Sequence, residues 1–346
     1  MKLKQFGTIT LLSLPFTVLS HISPPLLPNF SIFSASPAVA HTSELQKMEA
    51  ERLLWQGDQQ YDKGQFQAAI QSWQQALTIY QAIGDREGEA NSLNNLGKTY
   101  RKFGEYYKAI DLLQQGLEIS QQIGYRQGEA KSLNNLGAAY ENLGEYQKAI
   151  NFYKQSLEIS QQIGNRRGEA NSLSHLGGAN HSLGEYQKAI DFYQKSLEIF
   201  QHIGNPWGEA NSLNNLGSAY ENLGEYQKAI DLYQQSLEIS QQIGYRQGEA
   251  DYFNNLGFAY ENLGEYQKAI NFHQQSLEIS QQIDYRQGEA DYFNNLGSAY
   301  ENLGEYQKAI NFHQQSLEIS QQIGYRQGEA IFLNNLGSAY ENLGEY

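Results

Sequence analysis

The chain has 346 residues, a formal net charge of −14 and no cysteine. The absence of cysteine excludes disulfide bonds, thiolate chemistry and cysteine-ligated metal sites. The acidic balance disfavours nucleic acid and anionic membranes as partners, because neutralising phosphate groups requires clustered lysine and arginine.

The first forty residues differ in composition from everything that follows them. Lys2 and Lys4 precede an apolar run over residues 9–19, and five of the six prolines lie in this segment, which ends in Ala-Val-Ala. A positive start, a short apolar core and a small-residue site are typical of a secretory signal peptide. The apolar run is shorter than the roughly 20 residues that a membrane-spanning helix needs. We therefore predict a signal peptide over residues 1–40, cleaved after Ala40, and an exported (periplasmic or extracellular) protein; a disordered tail is the alternative.

After a short lead-in over residues 41–49, one pattern returns every forty residues. GEAKSLNNLGAAYENLGEYQ at Gly128 reappears as GEANSLNNLGSAYENLGEYQ at Gly208 and as GEADYFNNLGSAYENLGEYQ at Gly288. A fixed period of this size is typical of a solenoid, in which each unit buries its apolar face against its neighbours. We predict seven full units over residues 50–323 and a truncated eighth unit over residues 324–346.

Each unit contains two helical patterns. In the third unit, Ala130, Leu133 and Leu136 recur at helical spacing until Gly144 ends the run, and residues 146–157 form a second apolar stripe. The short connection makes the two helices antiparallel. The predicted fold class is therefore an all-α solenoid of antiparallel helix pairs.

The fifth unit indicates where the first helix of a unit begins. Asn205-Pro206 fits a helix N-cap followed by proline at the first helical position, where a missing N–H is tolerated. We expect the first helix of every unit to begin near the position of Pro206.

These features resemble the tetratricopeptide repeat. Its pattern of Leu-Gly-x-x-Tyr, then alanine, an aromatic residue and a small residue, appears as Leu136, Gly137, Tyr140, Ala149, Tyr153 and Ser156. The forty-residue period is similar to the long-helix variety of kinesin light chains and G-protein-signalling modulators, whereas HEAT repeats share the period but lack this pattern. The resemblance implies a right-handed superhelix whose first helices line a concave groove that binds peptides or helices of a protein partner.

The first units resemble a narrower group. The run over residues 66–80, followed by GDREGEANSLNNLG, is similar to the repeat arm of bacterial, largely cyanobacterial, proteins in which such an arm frequently precedes a caspase-like CHAT domain. Because this chain lacks cysteine, it contains no CHAT nucleophile. Two functions remain open: a non-catalytic protein-interaction scaffold, or the recognition arm of a larger enzyme, a CHAT-type cysteine protease, whose catalytic domain is absent from this chain.

Most units carry a pair of asparagines on the face that the resemblance places in the groove. Asparagine forms helices poorly, but its amide offers donors and an acceptor to the backbone of an extended peptide. An asparagine ladder that bonds neighbouring helices, or side chains that merely face water, are the alternatives. The predicted partner-binding asparagines are Asn94, Asn95, Asn134, Asn135, Asn214, Asn215, Asn254, Asn255, Asn294, Asn295, Asn334 and Asn335.

Charge changes along the predicted groove. The second unit presents Lys98, Arg101 and Lys102, which we also predict to bind the partner. Later units are acidic there, with Glu221, Asp251, Glu261, Asp291, Glu301 and Glu341. Such asymmetry would orient a partner and speed its encounter. Phe258 is a predicted apolar anchor, and an isolated exposed aromatic side chain without a role is the alternative.

Other candidates have structural interpretations. His273 and His313 replace core tyrosines and lack the further ligands of a closed zinc site, so we predict neutral packed imidazoles, no metal and no cofactor. The serine, aspartate and histidine residues recur with the period, whereas an active site normally breaks the symmetry. No enzyme is therefore predicted for this chain.

The fourth unit departs most from the pattern. It reads NSLSHLGGANHSLG, with Gly178 beside Gly177 and Asn180 in place of a core tyrosine. Extra glycine and a lost aromatic side chain both destabilise a helical unit. We predict that this unit opens first, with tolerated sequence drift as the alternative.

The last unit stops at Tyr346, where a second helix would begin. Leu333, Leu336 and Tyr340 are then left without the helix that would cover them. The expectation is a truncated product or an incomplete gene model, together with self-association through this uncapped end.

Overall fold

The computed structural model describes residues 37–344, and side chains from residue 42 onward. The helical array forms a single compact unit that begins at Ser43. Residues 1–36 of the predicted signal peptide lie outside the described residues. Within the described range every regular element is an α-helix.

Fifteen helices follow one another in the described range. They are α1 (Pro37–Asp62), α2 (Phe66–Ile83), α3 (Arg86–Lys102), α4 (Tyr106–Gln122), α5 (Arg126–Asn142), α6 (Tyr146–Gln162), α7 (Arg166–Ser182), α8 (Tyr186–His202), α9 (Pro206–Asn222), α10 (Tyr226–Ile243), α11 (Arg246–Asn262), α12 (Tyr266–Gln282), α13 (Arg286–Asn302), α14 (Tyr306–Ile323) and α15 (Arg326–Leu343). The odd-numbered helices are the first helices of their units, and the even-numbered helices are the second helices. Residues 41–49, predicted as a lead-in, form part of α1.

The two helices of a unit are joined by a tight turn. Gly144 adopts φ 75°, a left-handed conformation that glycine reaches without the steric cost of a Cβ. The amide of Glu145 then donates to the carbonyl of Tyr140 at 2.9 Å, and α6 begins one residue later. Among the described residues, Asp284 is the one non-glycine residue with positive φ, at 56°.

The prediction from Asn205-Pro206 is confirmed for every first helix except α1, which begins at Pro37, nine residues before the corresponding position. Pro206 is the first residue of α9, and the Asn205 side chain accepts a hydrogen bond from the amide of Gly208 at 3.1 Å. The first helices α3, α5, α7, α11, α13 and α15 begin at the corresponding position. The segment before Gly-Glu-Ala is therefore helical.

A glycine lets the two helices of each unit approach closely. A Cβ added at Gly137 would lie 2.5 Å from the ring of Tyr153, which packs directly over this backbone. Leu136 and Ala149 beside them have no exposed surface. In α15 the corresponding Gly337 has no atom within 4 Å of such a Cβ.

The buried side chains form interfaces both within and between units. The predicted stripe residues Ala130, Leu133 and Leu136 are buried, and Tyr153 has 0 % exposure. Ile159 packs with Ala130 and Leu133, which places a second helix against the first helix of its own unit. Each second helix also packs on the first helix of the next unit, so the array has one continuous core.

Candidate partner-binding groove

The first helices form the inner face of the array. First helices of successive units contact one another directly. For example, α3 contacts α5, α5 contacts α7 and α7 contacts α9. Second helices of successive units show no comparable contact within the described range. Because the first helices lie closer together, the array is concave on their side. We call this concave surface the groove.

Asparagine side chains bond across the unit boundaries in the C-terminal half of the groove. Asn255 donates to Asn214 with 2.7 Å between Nδ2 and Oδ1, and Asn295 donates to Asn254 at 2.9 Å. The same bond, again 2.9 Å, joins Asn335 to Asn294. In these three units the second asparagine therefore reaches the first asparagine of the unit before it. This arrangement is the asparagine ladder that the sequence left as an alternative.

A related network joins the first three units. Asn95 donates to Asp58 at 3.0 Å and accepts from the ammonium of Lys131 at 2.9 Å. Asn94 has no exposed surface and donates to the hydroxyl of Ser132 at 2.8 Å. Asn94, Asn95, Asn254 and Asn294 are all buried, so their amides serve contacts between helices.

Four of the predicted asparagines make no side-chain hydrogen bond with another described residue. Asn135 and Asn215 are partly exposed and make no hydrogen bond with another described residue, and Asn334 is exposed in α15. The Oδ1 atom of Asn134 is buried without a partner in the same range. These groups are open to bonding by a ligand.

The three predicted basic residues of the second unit have different surroundings. Lys98 places its ammonium 4.0 Å from the ring centroid of Tyr61, and burial lowers its pKa. Arg101 donates to Asn142 at 3.0 Å. Lys102 is exposed at the end of α3. The structure brings only Lys98 of these three into the cavity described next.

A cavity of about 520 Å³ opens in the groove between α3, α5 and α7. Its wall includes the cations Lys98, Lys131 and Arg167, and no carboxylate. The amides of Asn134 and Asn135 also line it. Sequence reasoning missed Lys131 and Arg167.

A sequence signal for these two residues existed. Lys131 occupies a position where three other units carry asparagine, for example Asn171. Arg167 occupies a position where four other units carry glutamine, for example Gln127. Both break the repeat towards positive charge. Their proximity follows only from the packing of three successive units.

The C-terminal half of the groove is acidic and partly desolvated. Glu221 accepts a hydrogen bond from the hydroxyl of Tyr233 at 2.7 Å, and burial raises the pKa of its carboxyl. Asp251 accepts from Tyr292 at 2.6 Å, and burial raises its pKa as well. The pKa of Asp291 is raised to about 6, mainly by burial and secondly by the charge of Asp251.

Phe258 lies in this acidic half. Its side chain is partly buried, and its ring packs edge-on against His273, with 5.2 Å between centroids and 71° between planes. One side of the Phe258 ring therefore packs against the core of the array. Its role as an anchor remains a prediction.

The family model described as tetratricopeptide repeat matches residues 49–122, 128–202, 208–282 and 288–346. This chain belongs to the tetratricopeptide repeat family. The resemblance that the Leu-Gly-x-x-Tyr pattern indicated is confirmed, and so is the all-α solenoid fold. No curated protein sequence matches the chain significantly.

Solved structures show the same fold at low sequence identity. Aspartyl phosphate phosphatase F from Bacillus subtilis superimposes with a TM-score of 0.64 at 15 % identity, over 82 % of this chain and 73 % of that chain. The Rap conjugation gene regulator of the plasmid pLS20, in complex with the Phr* peptide, gives 0.64 at 14 % identity, over 85 % and 79 %. A STAND protein with a tetratricopeptide repeat sensor from Pyrococcus horikoshii gives 0.63 at 20 % identity, over 90 % of this chain and 45 % of that one.

The two core histidines of this repeat array are buried as the sequence predicts. His273 places Nδ1 2.9 Å from Oδ1 of Asn254 and Nε2 3.0 Å from a carboxylate oxygen of Glu261. Burial lowers the pKa of His313, although Glu301 acts in the opposite direction. The described residues contain no group of three side chains that could hold a metal ion. Their helices include none that is long and apolar enough to cross a membrane.

The fourth unit keeps the backbone of its neighbours. Its first helix α7 is continuous over 17 residues, and Asn180 is buried with Nδ2 donating to the carbonyl of Leu176 at 2.6 Å. His175 stacks on Tyr153 with centroids 5.1 Å apart, and burial lowers its pKa to about 4. Asn180 is thus bonded within its own helix, and His175 packs against the third unit. The predicted early opening of the unit stays a prediction.

Leu336 and Tyr340, expected to be uncovered, pack in part against Ala309 and Ile310 of α14. Other large apolar side chains of α15 are uncovered. Leu333 is 58 % exposed and Ile331 is 47 % exposed. Self-association through this surface remains a proposal.

Proposed function

We propose that this protein is a non-catalytic scaffold that binds an extended segment of a partner protein in its groove. The observation that carries the proposal is the set of unbonded amides at Asn134, Asn135 and Asn215 on the concave side of a tetratricopeptide repeat array. An extended peptide presents an N–H and a carbonyl at every residue, and an amide side chain matches both. Recognition through the backbone would not depend on the exact sequence of the partner.

Two solved structures with this fold are peptide complexes. One is the Rap regulator of pLS20 with the Phr* peptide, and another is a Rap protein complexed with Competence and Sporulation Factor, at 15 % identity and a TM-score of 0.58. At such low identity they show only that this fold accommodates peptides. They support the class of partner and leave its identity open.

The alternative is the recognition arm of a larger CHAT-type protease. The resemblance of residues 66–80 to such arms favours it. The coding sequence beyond Tyr346 tests it, since a downstream domain with a histidine and cysteine pair would support the protease. In both cases the described array performs the recognition.

Export is part of the proposal and has its own test. Fusion of residues 1–40 to a reporter that is active only outside the cytoplasm should give activity, and the mature chain should begin at His41. A mature protein that still begins at Met1 in the cytoplasm would contradict export without affecting the groove.

Selection of peptides from a random display library on the full chain tests the scaffold. The double variant Asn135→Ala, Asn215→Ala should bind the selected peptides about ten- to thirty-fold more weakly, because each lost hydrogen bond costs about 1 kcal/mol. The matched control is Asn151→Ala, Asn271→Ala, which removes two exposed amides from second helices. Failure to select any peptide, or equal binding by both variants, contradicts the proposal.

A further inference from the structure

Most cations of the array are neutralised inside their own unit. Arg126 pairs with Glu129, and Lys148 pairs with Glu145, each three residues away on or next to the same helix. Equivalent pairs recur along the chain at Arg86, Lys108, Arg166, Lys188, Lys228, Arg246, Lys268, Arg286, Lys308 and Arg326. The repeat therefore supplies a carboxylate for most of the basic side chains that it places on the outer surface, although Lys154 and Lys195 are exceptions.

The cations of the cavity lack such partners. Lys98, Lys131 and Arg167 form no ion pair with any described carboxylate; Lys98 lies over the ring of Tyr61, and Lys131 donates to the neutral amide of Asn95. Burial lowers the pKa of Lys98 and of Lys131, although Asp58 partly opposes this at Lys131. Lys98 is partly buried, and holding its charge away from water without a paired carboxylate costs free energy, which an anion bound beside it would recover. The side chains of Lys131 and Arg167 are exposed and available to a ligand.

Unbonded polar atoms on the cavity wall are an independent observation. Ser160 lines the cavity with 1 % exposure, and its hydroxyl has no hydrogen-bond partner among the described residues. Its counterparts Ser240 and Ser280 donate to backbone carbonyls at 2.7 Å. Asn134 adds a buried Oδ1 without a partner. The wall thus offers both charge and hydrogen bonds to a ligand.

The three cations follow a diagonal line across three parallel first helices. Each position is counted from the first residue of its own helix. Lys131 lies seven residues closer to that start than Lys98 does, and Arg167 lies four residues closer than Lys131 does. At 1.5 Å per residue and 8–10 Å between neighbouring helices, successive cations are about 11–14 Å apart at their Cα atoms. An extended peptide covers that distance in about four residues.

This spacing discriminates between ligands. By the same measure the Cα atoms of the outer cations, Lys98 and Arg167, are about 23–26 Å apart. That distance is too long for all three side chains to reach one phosphate or one carboxylate, which needs its donors within about 3 Å. Side chains four residues apart on an extended chain point to the same face. A peptide with repeated acidic residues matches the line, whereas a single small anion does not.

We propose that the cavity between α3, α5 and α7 binds an extended acidic peptide segment whose aspartate or glutamate side chains, spaced four residues apart, contact Lys98, Lys131 and Arg167. The inference rests on the proposed function of the groove and specifies the partner. The amides of Asn134 and Asn135 bond the peptide backbone between the charged contacts.

The test uses fluorescent peptides and the full chain. The probe ESGSESGSE has glutamates four residues apart, EEESGSSGS has the same composition with clustered glutamates, and KSGSKSGSK reverses the charge. The variant Lys131→Asn, Arg167→Gln installs residues that other units carry at these positions, so the fold is retained. The control Lys154→Gln, Lys195→Gln removes two exposed, unpaired cations from second helices and has the same net charge.

We expect the spaced peptide to bind at least about tenfold more tightly than the clustered one. The groove variant should lose at least about tenfold in affinity for the spaced peptide, while the control changes less than about twofold. Circular dichroism should show equal helix content for both variants.

Three results would overturn the inference. They are no binding of the spaced peptide, equal binding by the groove variant and the control, or displacement of the peptide by an equal concentration of inorganic phosphate. If library selection instead yields neutral or basic peptides that depend on Asn135 and Asn215, the groove function stands and the acidic partner is wrong. If no peptide is selected, the groove function itself fails.

Discussion

Asn255 donates a hydrogen bond from Nδ2 to Oδ1 of Asn214 across a unit boundary, over 2.7 Å. Its neighbour Asn215 lies on the same face and makes no such bond with a described residue. The two asparagines of the fifth unit therefore differ. Asn214 holds adjacent units together, whereas Asn215 keeps a free amide because the fourth unit carries Ser174 in place of an accepting asparagine.

This difference predicts opposite results for two similar substitutions. Asn255→Ala should lower the free energy of unfolding by about 1 kcal/mol, because it removes a partly buried bond and leaves Asn214 unpaired. Asn215→Ala should leave stability unchanged or slightly higher, since alanine is the better helix former, and should weaken peptide binding instead. Chemical denaturation and peptide titration of both variants measure this. Equal loss of stability in both variants would show that the pair acts as one structural element.

Glycine at the helix contact gives a second prediction. A Cβ at Gly217 would lie 2.5 Å from the ring of Tyr233, so Gly217→Ala should destabilise the array by about 1–2 kcal/mol through overpacking. Gly337→Ala makes the same change where no atom lies within 4 Å, and it should raise the stability of α15 by up to about 1 kcal/mol. Thermal unfolding compares the two. Identical effects would mean that the close approach of the helices does not determine the choice of glycine.

Asp291 makes stability depend on pH. Its folded carboxyl has a pKa of about 6, whereas an unfolded aspartate has one of about 4. Between these values the folded protein binds more protons than the unfolded chain, so the contribution of Asp291 to stability falls as the pH rises from about 4 to 6. Asp291→Asn should therefore unfold at higher temperature than the natural protein at pH 7, and the two should converge below about pH 4.

The control for this prediction is Asp231→Asn. It removes the same charge from an exposed position on α10, where three other second helices carry asparagine, for example Asn151. Its pH profile should follow that of the natural protein. If Asp231→Asn shifts the pH profile of stability as much as Asp291→Asn does, the effect comes from net charge. That result would contradict the role of the buried Asp291 carboxyl.

Hydrogen exchange tests the fourth unit. Amides of residues 174–182 should exchange faster than those of residues 214–222, because Gly178 and Asn180 replace better helix formers or packing groups. The two segments occupy equivalent positions and have continuous helices of 17 residues around them. Equal protection would show that the hydrogen bond from Asn180 to Leu176 compensates for the lost aromatic side chain.

The sequence predicted the architecture because the relevant information is local and repeated. The Leu-Gly-x-x-Tyr pattern gave the helix pairs, and Asn205-Pro206 gave the start of the first helices. The hydrogen bonds of the asparagine ladder could not be predicted from this local pattern. They join residues 41 positions apart, one more than the repeat length, and this offset depends on how neighbouring first helices shift against each other.

The basic cavity was missed for a related reason. Lys131 and Arg167 are single departures from the repeat in different units, and neither is informative alone. Only the lateral packing of α3, α5 and α7 brings them to the same wall as Lys98. A comparison of each position across all units would have marked both residues as candidates.

The near identity of the later units has a consequence for folding. Residues 248–287 and 288–327 differ only at Phe258 against Ser298 and at Asp284 against Gly324. A chain in which α13 docks on α10 in place of α11 would therefore bury almost the same side chains while looping out one unit. The contact surfaces themselves do not distinguish this skipped register from the native one. Only the uncovered apolar faces of the looped-out helices disfavour it, so skipped registers are the kinetic traps that refolding of this array must resolve.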